Sequence, residues 1–537
     1  MRYILKSHTM GECDRYSIET LGIPSMVLME RAALAVVDQI RNDYQHKDLK
    51  SLKVACVAGI GNNGGDCVAI ARLLAELEVC VDLYVVGPEE KFSLGMKEQL
   101  DIVKQQDEVT PSKKKRMKIL HKFQKTPYNI VVDGIFGIGV KREVGGEYAL
   151  AINQINEYGK QAKVYAIDIP SGIDTDSGKV LGTAVKADKT ITFQYEKPGL
   201  HLREGRDYSG EVISKNIGIS AIPFLNKHLV PDYFTYDRED ICRIPRRKNN
   251  GNKGTFGRVL CIAGSQNMAG AAYLSGGAAY ATGCGLVELF SEECNRQILQ
   301  QLLFQAVLTT YTEQDSEDAL KEKLKLSLSK ASVVVLGPGL GQGKQAEMIV
   351  EYVLTHCYKP CIIDADAINL ISKHPQWLSQ KSHKKQWIFT PHLKELARLT
   401  HQDMSVILDS YEKITQDFAR EHHCVLVAKN HRTLVGASPE LSFDIHCKSL
   451  PPYINLSGCN GMACGGSGDV LTGMIAGLIS QGMTLYEGAC MGVFLHGLSG
   501  EKASEEYGNY SMNAVHIMNK IYTVLRENQG GNQNGAI

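Results

Sequence analysis

Neither sign of charge dominates this chain: 59 basic residues stand against 59 acidic ones in 537, so nothing global draws it to nucleic acid or to an anionic membrane. No uncharged run is long enough to cross a bilayer, and no apolar core of signal-peptide length follows Met1-Arg2-Tyr3-Ile4-Leu5-Lys6. A cytoplasmic protein is the default expectation. Paired Cys-x-x-Cys spacing is missing too. The 15 cysteines are scattered, several inside apolar runs such as Val54-Ala55-Cys56-Val57, which reads as reduced core thiols rather than a disulfide or zinc framework. There is no Walker lysine loop, which argues against a P-loop kinase. The basic run Lys113-Lys114-Lys115-Arg116 lies between helical segments and reads as a solvated face without an assigned role.

What is present is length and glycine. A chain of 537 residues suits two domains of roughly 200 to 300 residues each. In the first half, short β-branched runs (52–58, 79–86, 130–132, 164–167) alternate with helix-like stretches, as in a parallel sheet covered on both faces. Periodicity fades between Ile219 and Gly257, where Pro, Asn, Gly and Arg accumulate. The expected domains are therefore 1–225 and 235–530. The second series runs through 259–263, 333–336, 361–363, 387–389 and 425–428, and the Gly-, Asn- and Gln-rich tail from Glu527 is expected to be disordered.

Two glycine-rich turns ending in aspartate stand out. The first, Gly59-Ile60-Gly61-Asn62-Asn63-Gly64-Gly65-Asp66, matches the spacing of a dinucleotide fingerprint between a strand and a helix. Its polar residues, and the lack of an acidic residue closing the next strand, argue against conventional NAD-linked hydride transfer. Two further loops, Asp133-Gly134-Ile135-Phe136-Gly137-Ile138-Gly139 and Asp168-Ile169-Pro170-Ser171-Gly172-Ile173-Asp174, also put an aspartate at a strand end. These three loops in this order resemble the NAD(P)H-hydrate epimerase family over about residues 10–220, which implies a Rossmann-like domain. The family interconverts the R and S epimers of a nicotinamide damaged by addition of water to a ring double bond. The resemblance implies that Asn62, Asn63, Gly64, Gly65 and Asp66, with Gly137, Ile138, Gly139, Val140, Lys141, Arg142 and Glu143, cradle the hydrate, that Asp168 binds it and acts as acid or base, and that Asn63, Asp133 and Ser171 hold potassium. Cys67 stands where the family usually has glycine.

The second turn, Gly465-Gly466-Ser467-Gly468-Asp469, precedes a helix of small residues. Amides at such a helix start stabilise a phosphoryl group in flight, and the aspartate takes the proton of the attacking hydroxyl. Gly-x-Gly-Asp alone is common to ribokinase-like kinases. With Ala263-Gly264-Ser265, Gly337-Pro338-Gly339, Asp364-Ala365-Asp366-Ala367, Thr390-Pro391-His392 and Lys429-Asn430-His431-Arg432-Thr433, it resembles the NAD(P)H-hydrate dehydratase family over about 240–520. That family phosphorylates the ring hydroxyl and eliminates phosphate. The resemblance implies that Ala272, Gly339, His392 and Asp469 contact the hydrate, that Lys429, Asn430, His431, Arg432, Thr433 and Gly468 bind the nucleotide, and that Glu395 helps to place magnesium. Leu393-Lys394 replace the usual Pro-Gly, and Cys464 the usual threonine.

The expectation is thus an α/β protein of two three-layer α/β/α domains, Rossmann-like then ribokinase-like, repairing NADH and NADPH hydrates with potassium in the first domain and magnesium with ADP in the second. ADP is preferred because fused forms resemble ADP users, although the adenosine-binding motifs suit ATP equally. A homo-oligomer is expected. Two alternatives remain open: a ribokinase-type small-molecule kinase with a non-catalytic N-terminal module, and a regulatory, protein-binding first domain.

Overall fold

The computed structural model describes residues 1–226, 228–379, 385–442 and 450–529. The chain forms two compact units: Tyr3–Asp232, and Tyr233 onward joined by Met1–Arg2.

In the N-terminal unit seven described strands form one all-parallel sheet in the order Met117–Leu120, Cys80–Val85, Lys53–Ala58, Ile130–Gly134, Lys163–Ile167, Lys189–Phe193, Glu211–Lys215. Numbered along the chain this is three-two-one-four-five-six-seven, the doubly wound order whose switch point lies between Lys53–Ala58 and Ile130–Gly134. Successive side chains of a strand point to opposite faces, and the core divides accordingly. Val54, Cys56 and Ala58 pack with residues of the helices Ser25–Asp43, Asn62–Glu76 and Leu94–Val109. Ala55 and Val57 pack on the other face with Ala151, Ile152 and Ile155 of Gly146–Gly159. The central strand is apolar on both sides because both sides are covered.

The C-terminal unit repeats the device. Val307–Tyr311, Leu286–Glu292, Arg258–Ile262, Val333–Leu336, Cys361–Ile363, Trp387–Phe389 and Val425–Ala428 are parallel and again ordered three-two-one-four-five-six-seven. Leu434–Ala437 then turns back antiparallel, followed by Tyr453–Ile454 and Tyr233–Thr235. Two sets of helices flank the sheet. Ala269–Ala281, Ser467–Ser480, Leu485–Ser511 and Ala514–Gln529 pack on one another, as do Glu317–Lys330, Lys344–His356, Asp366–Lys373, Leu393–Thr400 and Met404–Glu421. The close pairing of Ala269–Ala281 with Ser467–Ser480 needs small residues, since a Cβ on Gly473 would lie 2.1 Å from the carbonyl oxygen of Ser275.

Several sequence expectations need correction. The first glycine turn is not a free loop: Asn62 to Asp66 form the first turn of the helix Asn62–Glu76, with Gly64 so close to the strand end that a Cβ would meet the Gly59 oxygen at 1.9 Å. The second helix begins at Ser467, with Gly466 supplying a left-handed φ of 87° before it. Strands Leu286–Glu292, Val307–Tyr311 and Lys189–Phe193 escaped the pattern reading because they alternate with polar residues such as Glu288, Thr309 and Thr190. Glu527 to Gln529 complete the last helix, where Glu527 pairs with Lys502 at 3.6 Å and Arg238 at 3.7 Å. The rest of the tail lies outside the described residues. Lys114, Lys115 and Arg116 are exposed, with Lys115 paired to Asp107 at 2.7 Å; the side chain of Lys113 lies outside what is described.

Candidate active sites

In the N-terminal unit a pocket of about 300 Å³ opens at the carboxyl ends of the strands, lined by Asn62, Asp66, Ile138 and Asp168 together with Asp14. Asp168 stands at the end of Lys163–Ile167 with a φ of 64°, in the left-handed region that non-glycine residues seldom adopt and aspartate more readily than most. Its Oδ1 accepts from the Thr192 hydroxyl at 3.0 Å, from the Phe193 amide at 3.1 Å and from the ammonium of the fully buried Lys197, which also donates to Thr192 at 2.8 Å. Three donors on one oxygen fix the carboxylate and leave Oδ2 without a described donor. Asp66, half-buried at the pocket wall, has its carboxyl pushed well above the usual range, by desolvation first and then by the carboxylates of Asp168 and Asp14.

In the neighbouring strand Ile130–Gly134, Asp133 is fully buried. Ser171 donates to it twice, from its hydroxyl at 2.6 Å and its amide at 2.8 Å, and the amide of Ile135 donates at 3.2 Å. Burial pushes Asp133 up to about 6, opposed by these hydrogen bonds. Asn63 gives its amide N–H to the Phe136 carbonyl at 2.9 Å, which leaves its Oδ1 as an acceptor. Asn63, Asp133 and Ser171 are therefore brought to one place through Phe136. Of the other expected residues, Gly64 and Gly65 are buried packing positions and Gly137 lies against Asn63. Gly139, Lys141, Arg142 and Glu143 are exposed and Val140 is half-buried. None of these five lines the pocket, and Lys141 pairs with Asp176 at 3.6 Å.

In the C-terminal unit the loops 263–265 and 337–341 are joined by backbone bonds from Gly264 to Pro338 and from Ser265 to Gly339, of 2.9 and 2.7 Å. A Cβ on Gly339, which has a φ of 57°, would press on Ala271 and Met268 at 2.9 Å. Ala272 is fully buried beneath Gly264, so it shapes this loop from below. Asp364, at the end of its strand, is nearly fully buried and accepts from Lys429 at 2.8 Å and from the Thr472 hydroxyl at 2.8 Å. Thr472 belongs to the helix Ser467–Ser480, which also carries Asp469, so Asp364 ties that helix to the sheet. Lys429 lies against Gly468, where a Cβ would come within 3.2 Å of its Nζ.

Asp469 is half-buried and has no described hydrogen-bond donor on its carboxylate. Burial, then the carboxylate of Asp364, pushes it up to about 7 against the pull of Lys429. That value suits a base working near neutral pH. The amides of Gly468 and Asp469 stand in the first helical turn, where no intrahelical acceptor exists, and none is described elsewhere. His392 caps the helix Leu393–Thr400: Nδ1 accepts from the amides of Lys394 and Glu395 at 3.1 and 3.2 Å, while Glu395 accepts from the His392 amide at 2.9 Å. Accepting at Nδ1 requires an unprotonated nitrogen there, and burial followed by the charge of Lys429 lowers the imidazole's affinity for a proton. The capping box closes with Leu393-Lys394 in place of Pro-Gly. Of the expected nucleotide residues, only Lys429 and Gly468 reach this cluster. Asn430, His431, Arg432 and Thr433 form the turn of the hairpin between Val425–Ala428 and Leu434–Ala437, with His431 exposed.

Sequence reasoning missed Asp14, Thr192, Lys197 and Thr472, and quoted Asp364 only as part of a motif. Lys197 carried only a weak signal, a lysine before Pro198-Gly199 shortly after a strand; Asp14 carried none beyond its place beside Met10 and Cys13 on a helix.

Fold and sites together define a two-unit α/β enzyme with a separate cluster of carboxylates at the strand ends of each unit. Family models match both: one described as the YjeF-related protein N-terminus over residues 25–199, the other as NAD(P)H-hydrate dehydratase over 259–523. A bifunctional NAD(P)H-hydrate repair enzyme of Moorella thermoacetica is 32% identical over 98% of this chain and 97% of its own length. The one from Escherichia coli is 29% identical over 95% and 92%. Among solved structures, the ADP/ATP-dependent NAD(P)H-hydrate dehydratase of Bacillus subtilis, co-crystallised with ATP and Mg2+, is 24% identical with a TM-score of 0.46, covering 55% of this chain and 99% of that one. The chain belongs to the bifunctional NAD(P)H-hydrate repair enzyme family. No helix among the described residues is long and apolar enough to cross a membrane.

Proposed function

We propose that this protein repairs hydrated NADH and NADPH in two steps, epimerising the R and S hydrates in the N-terminal unit and dehydrating the S epimer in the C-terminal unit with a nucleotide, ADP by preference. The observation that carries the reading is Asp469, a carboxylate pushed up to about 7 beside two helix-start amides without acceptors and the ammonium of Lys429. Asp469 takes the proton of the substrate's ring hydroxyl as its oxygen attacks the terminal phosphorus. The bond from phosphorus to the bridging oxygen breaks, and AMP leaves when the donor is ADP. The amides of Gly468 and Asp469 and the Lys429 ammonium offset the charge on the phosphoryl oxygens. Phosphate then departs as the neighbouring carbon loses a proton, which restores the ring double bond. Asp168 binds the hydrate in the N-terminal unit and moves the proton there, with Asn62 and Asp66 at the pocket wall.

Magnesium would be held by the nucleotide's phosphates, whose charge it would offset. Glu395 Oε1, the oxygen not used by the helix cap, is the one assigned to steer it. Potassium suits the other unit. The Asp133 carboxylate is buried without a described cationic partner, and the oxygens of Asn63 and Ser171 complete a hard donor set. A potassium ion held by Asn63, Asp133 and Ser171 would neutralise the Asp133 carboxylate and fix the loops that carry them. A cytoplasmic setting, where the nicotinamide pool sits, and self-association through the exposed Ile298, Leu302, Phe304 and Val307 belong to the same reading.

The test is to incubate the protein with mixed hydrate epimers, magnesium, potassium and either ADP or ATP, following the absorbance of reduced nicotinamide. Full recovery of both epimers with release of inorganic phosphate is expected. Accumulation of a stable phosphorylated product would instead mark a small-molecule kinase, and processing of the S epimer alone would make the first unit a binding module.

A further inference from the structure

The N-terminal helix Ser7–Arg15 brings a carboxyl group into the epimerisation pocket that no loop motif announces. Both ends of this helix are pinned. At its start the amide and hydroxyl of Ser7 donate to Asp176 at 2.6 and 2.9 Å. At its end the helix widens into one π turn, Tyr16–Thr20, from which Ser17 donates to the Cys13 carbonyl at 2.8 Å and accepts from the Ser220 amide at 3.0 Å. Single π turns concentrate at functional sites, where they re-aim a helix. Between the two pins Asp14 lines the pocket with Asp66 and Asp168, among apolar walls from Leu28, Phe193 and Ile217. It is half-buried and receives no described hydrogen bond, whereas Asp168 has three donors on Oδ1.

We propose that Asp14 is the second proton-transfer residue of epimerisation, acting as the acid across the pocket from Asp168, the base. This rests on the epimerase reading of the unit and adds the group that reading lacks. Addition of water to an enamine puts the hydroxyl on the carbon bonded to the ring nitrogen, so the hydrate is a carbinolamine. Asp168 takes the hydroxyl proton as the carbon–oxygen double bond forms and the carbon–nitrogen bond breaks. The electron pair of that bond passes to the ring nitrogen, which receives the proton of Asp14. Rotation about the adjacent carbon–carbon bond presents the other face of the aldehyde. Reclosure then returns the nitrogen's proton to Asp14 and the proton on Asp168 to oxygen. Neither water nor an oxidant is consumed, and both carboxyl groups end as they began.

The two environments differ in the required sense. Burial, then the negative charge of Asp168, raises the proton affinity of Asp14, while Asp168 sits in an ion pair with the buried Lys197. The charged and titratable groups facing Asp14 are Asp66 from the helix Asn62–Glu76 and Asp168 from the sheet, with Cys13 beside it on its own helix; Lys197 is paired with Asp168.

The experiment uses the full chain carrying Asp14→Asn or Asp14→Glu, with R-hydrate epimerisation measured from pH 5 to 9 and S-hydrate dehydration as the control for an intact protein. Asp14→Asn is expected to lower the epimerisation kcat by about 10²-fold or more, to abolish the fall in rate on the alkaline side that comes from loss of the acid's proton, and to leave dehydration within twofold. Asp14→Glu should restore part of the rate and the alkaline fall. Epimerisation by Asp14→Asn within threefold of the unaltered protein overturns the proposal, as does slowing in both variants with an unchanged pH profile. If the unaltered protein epimerises nothing, the epimerase reading itself falls; if it is active and Asp14→Asn is equally so, only this proposal does.

Discussion

The two units use one sheet order and hold the carboxylates of Asp168 and Asp469 in opposite ways. In the N-terminal unit a buried lysine, a hydroxyl and an amide all grip one oxygen of Asp168. In the C-terminal unit the corresponding lysine, Lys429, is held by Asp364, and Asp469 stands without a donor and is pushed up to about 7. The same scaffold therefore presents a fixed carboxylate in one half and a proton-hungry one in the other. The difference teaches that strand order places a carboxylate, whereas its immediate partners decide what it does.

The sharpest way to break that contrast is to remove each carboxylate in turn. Asp469→Asn should lower S-hydrate dehydration by about 10³-fold, within the range of general-base catalysis, while R-to-S exchange, followed by chromatography of the epimers, proceeds unchanged. Asp168→Asn should do the converse, with about 10²-fold loss of R-hydrate processing and S-hydrate turnover intact; coupled loss in either variant would mean the two centres are not separate.

The pH dependence of dehydration sharpens the comparison further. Asp469 works as a base only when ionised, so kcat/KM should fall about tenfold per pH unit below about 7 and level off above it. Removing the second cause of its shift, by Asp364→Asn, should move that limb to lower pH. A rate that is flat from pH 5 to 8 would show that another group takes the proton.

The smallest effect concerns potassium. Replacing a bulky organic cation with potassium should raise the thermal midpoint of the N-terminal unit by a few degrees, corresponding to about 1 kcal/mol. Asp133→Asn should erase the difference, read by scanning calorimetry, and the C-terminal transition should not respond.

Much of this was legible in the residues. The strand runs 52–58 and 130–132 and the aspartates that follow them were visible as β-branched stretches ending in polar turns, because strands covered on both faces must be apolar throughout. Asp168 could be named from the resemblance of the three strand-end loops to the epimerase family, and Asp469 from its place beside the amides of a helix start. Strands with mixed faces, such as Leu286–Glu292, were not visible, since Glu288 is accommodated by Arg258, Ser327 and Thr309 only once the sheet has formed. The five-residue stretch Lys429 to Thr433 read as one segment; the antiparallel return of Leu434–Ala437 makes it a hairpin turn, from which Lys429 reaches Asp364 and Arg432 reaches the Leu456 carbonyl.

By itself the sequence determined the two α/β halves, the glycine turns that allow backbone to approach backbone, and the acidic residues at strand ends, because each follows from local sterics and from the period of apolar side chains. Only the tertiary structure decided that Lys197 meets Asp168 across 29 residues, that Lys429 and Thr472 meet Asp364 across 65 and 108, and that Asp14 joins the pocket from a separate helix. Proton affinity depends on burial and on charges a few ångströms away, and those distances exist only after the chain has closed on itself.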